Sequence, residues 1–156
     1  MRSKSIFTGS CCAMITPFDS NGNPDYDAAA KVVEYLIQNK TDAICACGTT
    51  GESSTMNDRE HLDMIEFIVK TVNGRVPVIA GTGSNDTRHG IALSKEAQNR
   101  GADALLQVTP YYNKASQLGL IKHFTAIADN VSVPIILYNV PGRTGTNINI
   151  DTLSAL

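Results

Sequence analysis

Residues 76–113 read VPVIAGTGSNDTRHGIALSKEAQNRGADALLQVTPYYN, and this stretch decides the fold. Val76–Ala80 and Ala104–Val108 are short apolar runs, each followed by small, polar or glycine-marked residues. Between them Thr87–Arg100 carries Ile91, Ala92 and Ala97 and stops at Gly101, a residue suited to a helix C-terminus. The two strand candidates stand too far apart for a hairpin, so the segment reads as strand, helix, parallel strand.

The same unit recurs on either side. Ser10–Thr16, Ala43–Cys47 and Pro134–Asn139 are the other strand candidates. Asp27–Gln38, Asp58–Val72 and Gln117–Asp129 have apolar residues at helical spacing, for example Leu62, Ile65, Ile68 and Val69. Strands two to five are nearly continuous apolar runs, as expected for a parallel sheet covered by helices. The chain is therefore expected to be α/β, one domain over residues 1–156 built from five strand-helix units. An open doubly wound sheet and a (β/α)8 barrel both fit that period, and the barrel needs about 250 residues. Asp151 is expected as an N-cap, opening a helix that runs for only about one turn before Leu156. The expectation drawn from it is a fragment of a longer protein.

Composition narrows the partners. The chain is 42% hydrophobic and 18% charged with a formal net charge of -2, and its basic residues are scattered, which argues against nucleic acid or an anionic membrane and for a small molecule. No stretch approaches the roughly 20 apolar residues of a membrane span, and the start MRSKSIF lacks a leader pattern, so a cytoplasmic protein is expected. Cys11, Cys12, Cys45 and Cys47 fall in apolar runs without histidines at zinc-site spacing. They are expected to be buried reduced thiols, Cys11 and Cys12 facing opposite ways and Cys45 and Cys47 sharing a face.

In parallel α/β folds ligand groups collect at the C-terminal ends of strands. Gly48-Thr49-Thr50-Gly51-Glu52-Ser53 follows the second strand and can cradle an anion through its backbone amides and the N-terminus of the helix after it. An ordinary turn explains it equally on these residues alone. Gly81-Thr82-Gly83-Ser84-Asn85 lacks the third glycine of a dinucleotide fingerprint and reads as a plain loop. Tyr111, Tyr112 and Tyr138 share the same rim, where phenols either pass protons or simply cap the mouth. Arg143 lies in a glycine-rich loop and suits bidentate capture of a carboxylate. Glu52 and Asp86 are expected in N-cap or first-turn roles, and His61, His89 and His123, all on helices, in packing or at the surface.

Four motifs, GTTGES, VIAGTGSN, VTPYYN and LYNVPGRTG, in this order and spacing resemble the dihydrodipicolinate synthase (4-hydroxy-tetrahydrodipicolinate synthase) family, within the N-acetylneuraminate lyase superfamily, from about Phe7 to Leu156. The resemblance implies a (β/α)8 TIM barrel truncated to about five units. It implies condensation of pyruvate with L-aspartate 4-semialdehyde through a lysine Schiff base, with no metal or organic cofactor. By motif, Thr49, Tyr112 and Tyr138 match the proton relay, Tyr138 being the main donor and Tyr112 reaching across a dimer interface. Thr50, Gly48 and Ala13 match the pyruvate pocket, and Arg143 the site of the semialdehyde carboxylate. Ser53, Asn85 and Tyr111 match a lysine-effector site, from which Asp58 and His89 depart. The family's nucleophilic lysine stands on the sixth strand, and none of Lys4, Lys31, Lys40, Lys70, Lys95, Lys114 and Lys122 lies in an apolar strand. The 156 residues alone are thus expected to be inactive and to self-associate. A related aldolase acting on another aldehyde, and a non-catalytic carboxylate-binding or oligomerisation module, are the alternatives.

Overall fold

The computed structural model describes residues 5–156; Lys4 and the three residues before it lie outside the described part. Five strands, β1 (Cys11–Ala13), β2 (Ala43–Ala46), β3 (Val78–Gly81), β4 (Ala104–Val108) and β5 (Ile135–Tyr138), form one parallel sheet in sequence order. Four longer helices cross between them: α1 (Tyr26–Gln38), α2 (Asp58–Val72), α3 (Thr87–Asn99) and α4 (Gln117–Ala128). Sequential order and helices on one side give a curled half-barrel rather than a doubly wound sheet. In a doubly wound sheet the strand order reverses at a switch point.

The helix starts follow local chemistry. Asp25 accepts the Ala28 amide at 2.9 Å, Ser116 the Gly119 amide at 3.2 Å, and Asn57 and Glu60 close a reciprocal capping box on α2. Asp86 caps α3 by accepting from the Arg88 amide, in the role expected of it. Along the strands the side chains alternate. Ile44, Ala46, Val78, Ala80 and Leu105 point outward into the main core with Val33, Ile65 and Ile68 of the helices. Ala43, Cys45, Ile79 and Ala104 point inward, where Phe7, Leu106 and Ile136 join them. Each fully buried aliphatic of the outer layer contributes about 2 kcal/mol, so that layer holds the fold.

Several expectations are corrected. β1 is shorter than Ser10–Thr16, because Thr16 turns its hydroxyl into the molecule and Pro17 has no amide for the ladder. Cys45 and Cys47 do not share a face. Cys47 follows the end of β2 with φ of 52°, which breaks the alternation and turns its side chain to the helical layer. Cys11 is exposed on the inner face and Cys12 half-buried, so only Cys45 and Cys47 are buried thiols. Arg143 sits not in a loop but in a one-turn helix, α5 (Pro141–Thr144). The last helix, α6 (Ile150–Ala155), has Asn149 and not Asp151 at its N-cap position, and Asp151 stands in its first turn. Gln117 is the reason: its Oε1 accepts from the Asn149 amide and the Thr152 hydroxyl, doing for this helix what a local cap does elsewhere.

Candidate functional site

The C-terminal ends of β1, β2 and β5 surround a cavity of about 340 Å3, lined by Ala13, Gly48, Thr49, Thr50 and Tyr138 above a floor that includes Cys11, Cys45, Leu106 and Ile136. Gly48–Gly51 forms a tight turn, closed by the Gly51 amide donating to the Gly48 carbonyl at 3.1 Å, with Thr49 and Thr50 at its two central positions. The amides and hydroxyls of Thr49 and Thr50 make no hydrogen bond to any described residue. Two free amides and two hydroxyls on one turn beside an apolar floor suit a carboxylate.

The anion cradle differs in one respect from the expectation. No α-helix N-terminus follows it directly, since Glu52 takes a left-handed conformation, forms no side-chain cap and leads into a 3-10 turn at Ser53–Thr55. Helix α2 begins only at Asp58. The free turn amides, not a helix dipole, are the donors this turn offers to an anion.

The turn is seated on glycines. A Cβ at Gly81 would stand 2.5 Å from the Cys47 carbonyl oxygen and 2.9 Å from the Gly48 Cα. His61, buried on α2, donates its Nε2 proton to the Gly81 carbonyl at 2.8 Å and supports the same seat from below. Burial lowers the pKa of His61, against the opposing pull of that carbonyl. His123 is also buried, bonded through Nδ1 to Thr87 at 2.9 Å, and burial lowers its pKa too. His89 lies nearer the surface, with its Nε2 on the Asp58 carboxylate at 3.0 Å and its Nδ1 on Ser84.

A second cavity, of about 510 Å3, adjoins the first and shares Thr49 with it. Arg143, Tyr111, Ser53, Asp58 and His89 line it. The structure thus brings Ala13, Gly48, Thr49, Thr50 and Tyr138 around one space and places Arg143, Ser53 and Tyr111 in the next. Asn85 lines neither, its amide donating to the Tyr111 carbonyl at 3.3 Å. Tyr112 also lines neither: with φ of 69° it projects from the rim, 91% exposed.

The inner-wall residues Phe7, Cys11, Cys45 and Leu106 were not picked out as site residues from the sequence, although strand alternation carries the signal for the three on strands. Burial pushes the Cys45 thiol up to about 12, so it serves as wall rather than nucleophile. All six lysines among the described residues are exposed, and none lies on the inner face.

A parallel half-barrel with an open turn and a phenol around a cavity at the strand ends defines the class: the first part of a (β/α) barrel. The chain belongs to the dihydrodipicolinate synthetase family, whose model matches residues 6–156. It is 56% identical over 151 residues to a 4-hydroxy-tetrahydrodipicolinate synthase of Caldicellulosiruptor saccharolyticus, covering 97% of this chain and 51% of that protein. The crystal structure of the chloride-inhibited dihydrodipicolinate synthase from Acinetobacter baumannii complexed with pyruvate superposes with a TM-score of 0.91 at 51% identity, over 92% of this chain and 50% of that one. The enzyme from Cyanidioschyzon merolae with lysine bound gives 0.92 at 41% identity, over 96% and 51%. The chain spans about half the length of the curated relatives it matches.

Proposed function

We propose that the protein carrying this chain condenses pyruvate with L-aspartate 4-semialdehyde, as a cytoplasmic enzyme of lysine and diaminopimelate biosynthesis. The observation that carries the reading is the Thr49-Thr50 turn, its amides and hydroxyls unpaired, facing Tyr138 across a cavity of about 340 Å3. The turn holds the pyruvate carboxylate through Thr50 and the neighbouring amides, while Gly48 and Ala13 wall the pocket. A lysine outside these 156 residues forms the Schiff base: its amine replaces the pyruvate carbonyl oxygen, which leaves as water. The methyl carbon then loses a proton and attacks the aldehyde. Thr49, Tyr112 and Tyr138 move the protons, and Arg143, in the adjoining cavity, meets the carboxylate of the semialdehyde. No organic cofactor or metal takes part.

Tyr112 lines neither of the two cavities described above and is 91% exposed, which supports its service in the site of a second copy. Ser53, Asn85 and Tyr111 match an effector site, and the Cyanidioschyzon relative holds lysine. Here, however, Asp58 and His89 bond each other beside that cavity, which weighs against lysine as an effector of this protein.

The test is turnover by the protein at its full encoded length, given pyruvate with aspartate semialdehyde and with a panel of other aldehydes. Aspartate semialdehyde is expected to be preferred; preference for another aldehyde replaces this reading with that of a related pyruvate aldolase. Borohydride with pyruvate is expected to trap an adduct on the full-length protein and none on the 156 residues alone. An adduct on the latter overturns the assignment of the nucleophile.

A further inference from the structure

The cradle is tethered by a residue that no motif points to. Thr16 lies just beyond β1, buried at 5% exposure, and its hydroxyl donates to the Gly51 carbonyl at 2.7 Å across 35 positions of sequence. Gly51 is the residue whose amide closes the turn, so one peptide group to either side of its Cα does two jobs. Its N–H sets the Thr49-Thr50 conformation from within, and its C=O fastens the turn to the strand beside it. The approach leaves no spare room: a Cβ on Gly51 would lie 3.1 Å from the Met14 carbonyl oxygen and 3.0 Å from the Cys47 Cα. Met14 is itself held to β2 by donating its amide to the Cys45 carbonyl at 3.0 Å. The β1 exit therefore forms a shelf beneath the turn, and the Thr16 hydroxyl is the one polar side-chain contact from that shelf to Gly51 among the described residues.

We propose that Thr16 is a positioning residue for carboxylate binding: by holding the Gly51 carbonyl it keeps the amides of Thr49 and Thr50 converged on the cavity. Preorganisation of this kind raises affinity because the ordering cost is met before the ligand arrives. Without the tether the turn still closes through Gly48 and Gly51, but it is free to tilt away from β1, and the Gly51 carbonyl is left buried without a partner. Thr16 hydrogen-bonds to neither Tyr138 nor the hydroxyl of Thr49, so it reaches the relay only through the turn that carries Thr49, and the larger loss falls on carboxylate binding. The proposal rests on the cradle reading given above for the turn.

The experiment compares Thr16→Val, which keeps the shape and removes the hydroxyl, with Thr16→Ser, which keeps the hydroxyl, in the protein at its full encoded length. Thr16→Val is expected to raise the KM for pyruvate about tenfold with kcat within about twofold, and Thr16→Ser to restore the wild-type KM. An unchanged KM in Thr16→Val, or equal KM values in the two variants, overturns the proposal. Thr16→Cys, close in size with only a weak donor, takes the place of Thr16→Val under the same expectation if the valine protein does not fold. A second arm needs no substrate. Hydrogen exchange at the Gly51 amide is expected to be about tenfold faster in Thr16→Val than in wild type, with the β4 amides unchanged. If the unsubstituted protein does not turn over pyruvate, the functional reading falls on that result alone, and the exchange arm decides the role of Thr16: equal Gly51 exchange in the two proteins overturns it.

Discussion

Two loops at the same rim are built in opposite ways. The Gly48–Gly51 turn after β2 is held on three sides, by the Gly81 seat, by the Thr16 hydroxyl and by its own closing bond. The Tyr111–Asn113 loop after β4 is fastened at its base by Asn85 and Asn113, whose side-chain amides donate to the carbonyls of Tyr111 and Asn85. Its tip, Tyr112, reaches into solvent. The first loop is held on all its sides by its own chain, and the tip of the second is held by nothing among the described residues. Under the function proposed above, the first binds the carboxylate alone and the second lends its phenol to a neighbour's site.

The turn after β2 is most sensitive at Gly81. In Gly81→Ala the new Cβ meets backbone atoms of Cys47 and Gly48, which cannot swing aside as a side-chain tip can. Unfolding in urea is expected to show a loss of about 3 kcal/mol, and pyruvate binding by the full-length protein to disappear. Exchange of the Tyr112 and Asn113 amides is expected to stay as it is. A variant that keeps both its midpoint and its pyruvate affinity refutes the idea that this glycine seats the cradle.

The other loop yields to a milder change. Tyr112→Phe removes a hydroxyl from an exposed side chain, so stability is expected to hold within about 0.5 kcal/mol while kcat of the full-length protein falls about a hundredfold. Tyr138→Phe is expected to lower kcat as far. Mixing the two inactive proteins under exchange of subunits is expected to restore about a quarter of the wild-type activity, because half the dimers are mixed and each mixed dimer assembles one intact site. No recovery on mixing assigns Tyr112 to its own chain's site or to no site, and removes the contrast between the loops.

How much of this was legible in the sequence follows from how local each cause is. Helix α2 runs from Asp58 to Val72 as its apolar period and the Asn57 to Glu60 capping box dictate, because both signals lie within a few residues. The Gly48–Gly51 turn was legible for the same reason: glycines flanking two threonines behind an apolar strand describe a turn and its donors together. The start of α6 was not, since Gln117 caps it from about thirty positions away. Cys47 was misplaced because a left-handed residue at a strand end has no signal in a cysteine. Thr16 read as the last residue of a strand; only the approach of Gly51, 35 positions on, gives its hydroxyl a purpose.

The gentlest way to separate the loops is acid. Burial holds His61 and His123 below the ordinary histidine value of 6.5 in the folded chain. The unfolded chain therefore binds protons first as pH falls, so the stability these two residues contribute is complete above about 6.5 and drains away below it. The lowered carboxylates Asp63 and Glu66 act in a separate window, because their ordinary values of 3.8 and 4.5 lie well below. Between pH 6.5 and 5 the urea midpoint is expected to decline gradually, and His61→Gln, which keeps a donor for the Gly81 carbonyl but cannot titrate, to flatten part of that slope. Since His61 supports the seat of the cradle, exchange at Gly51, corrected for its intrinsic pH dependence, is expected to quicken over this range. Exchange at Tyr112 and Asn113, which rest on no histidine, is expected to follow its intrinsic rate. Equal acceleration in both loops shows that acid loosens the whole rim, and the cradle then has no separate support from below.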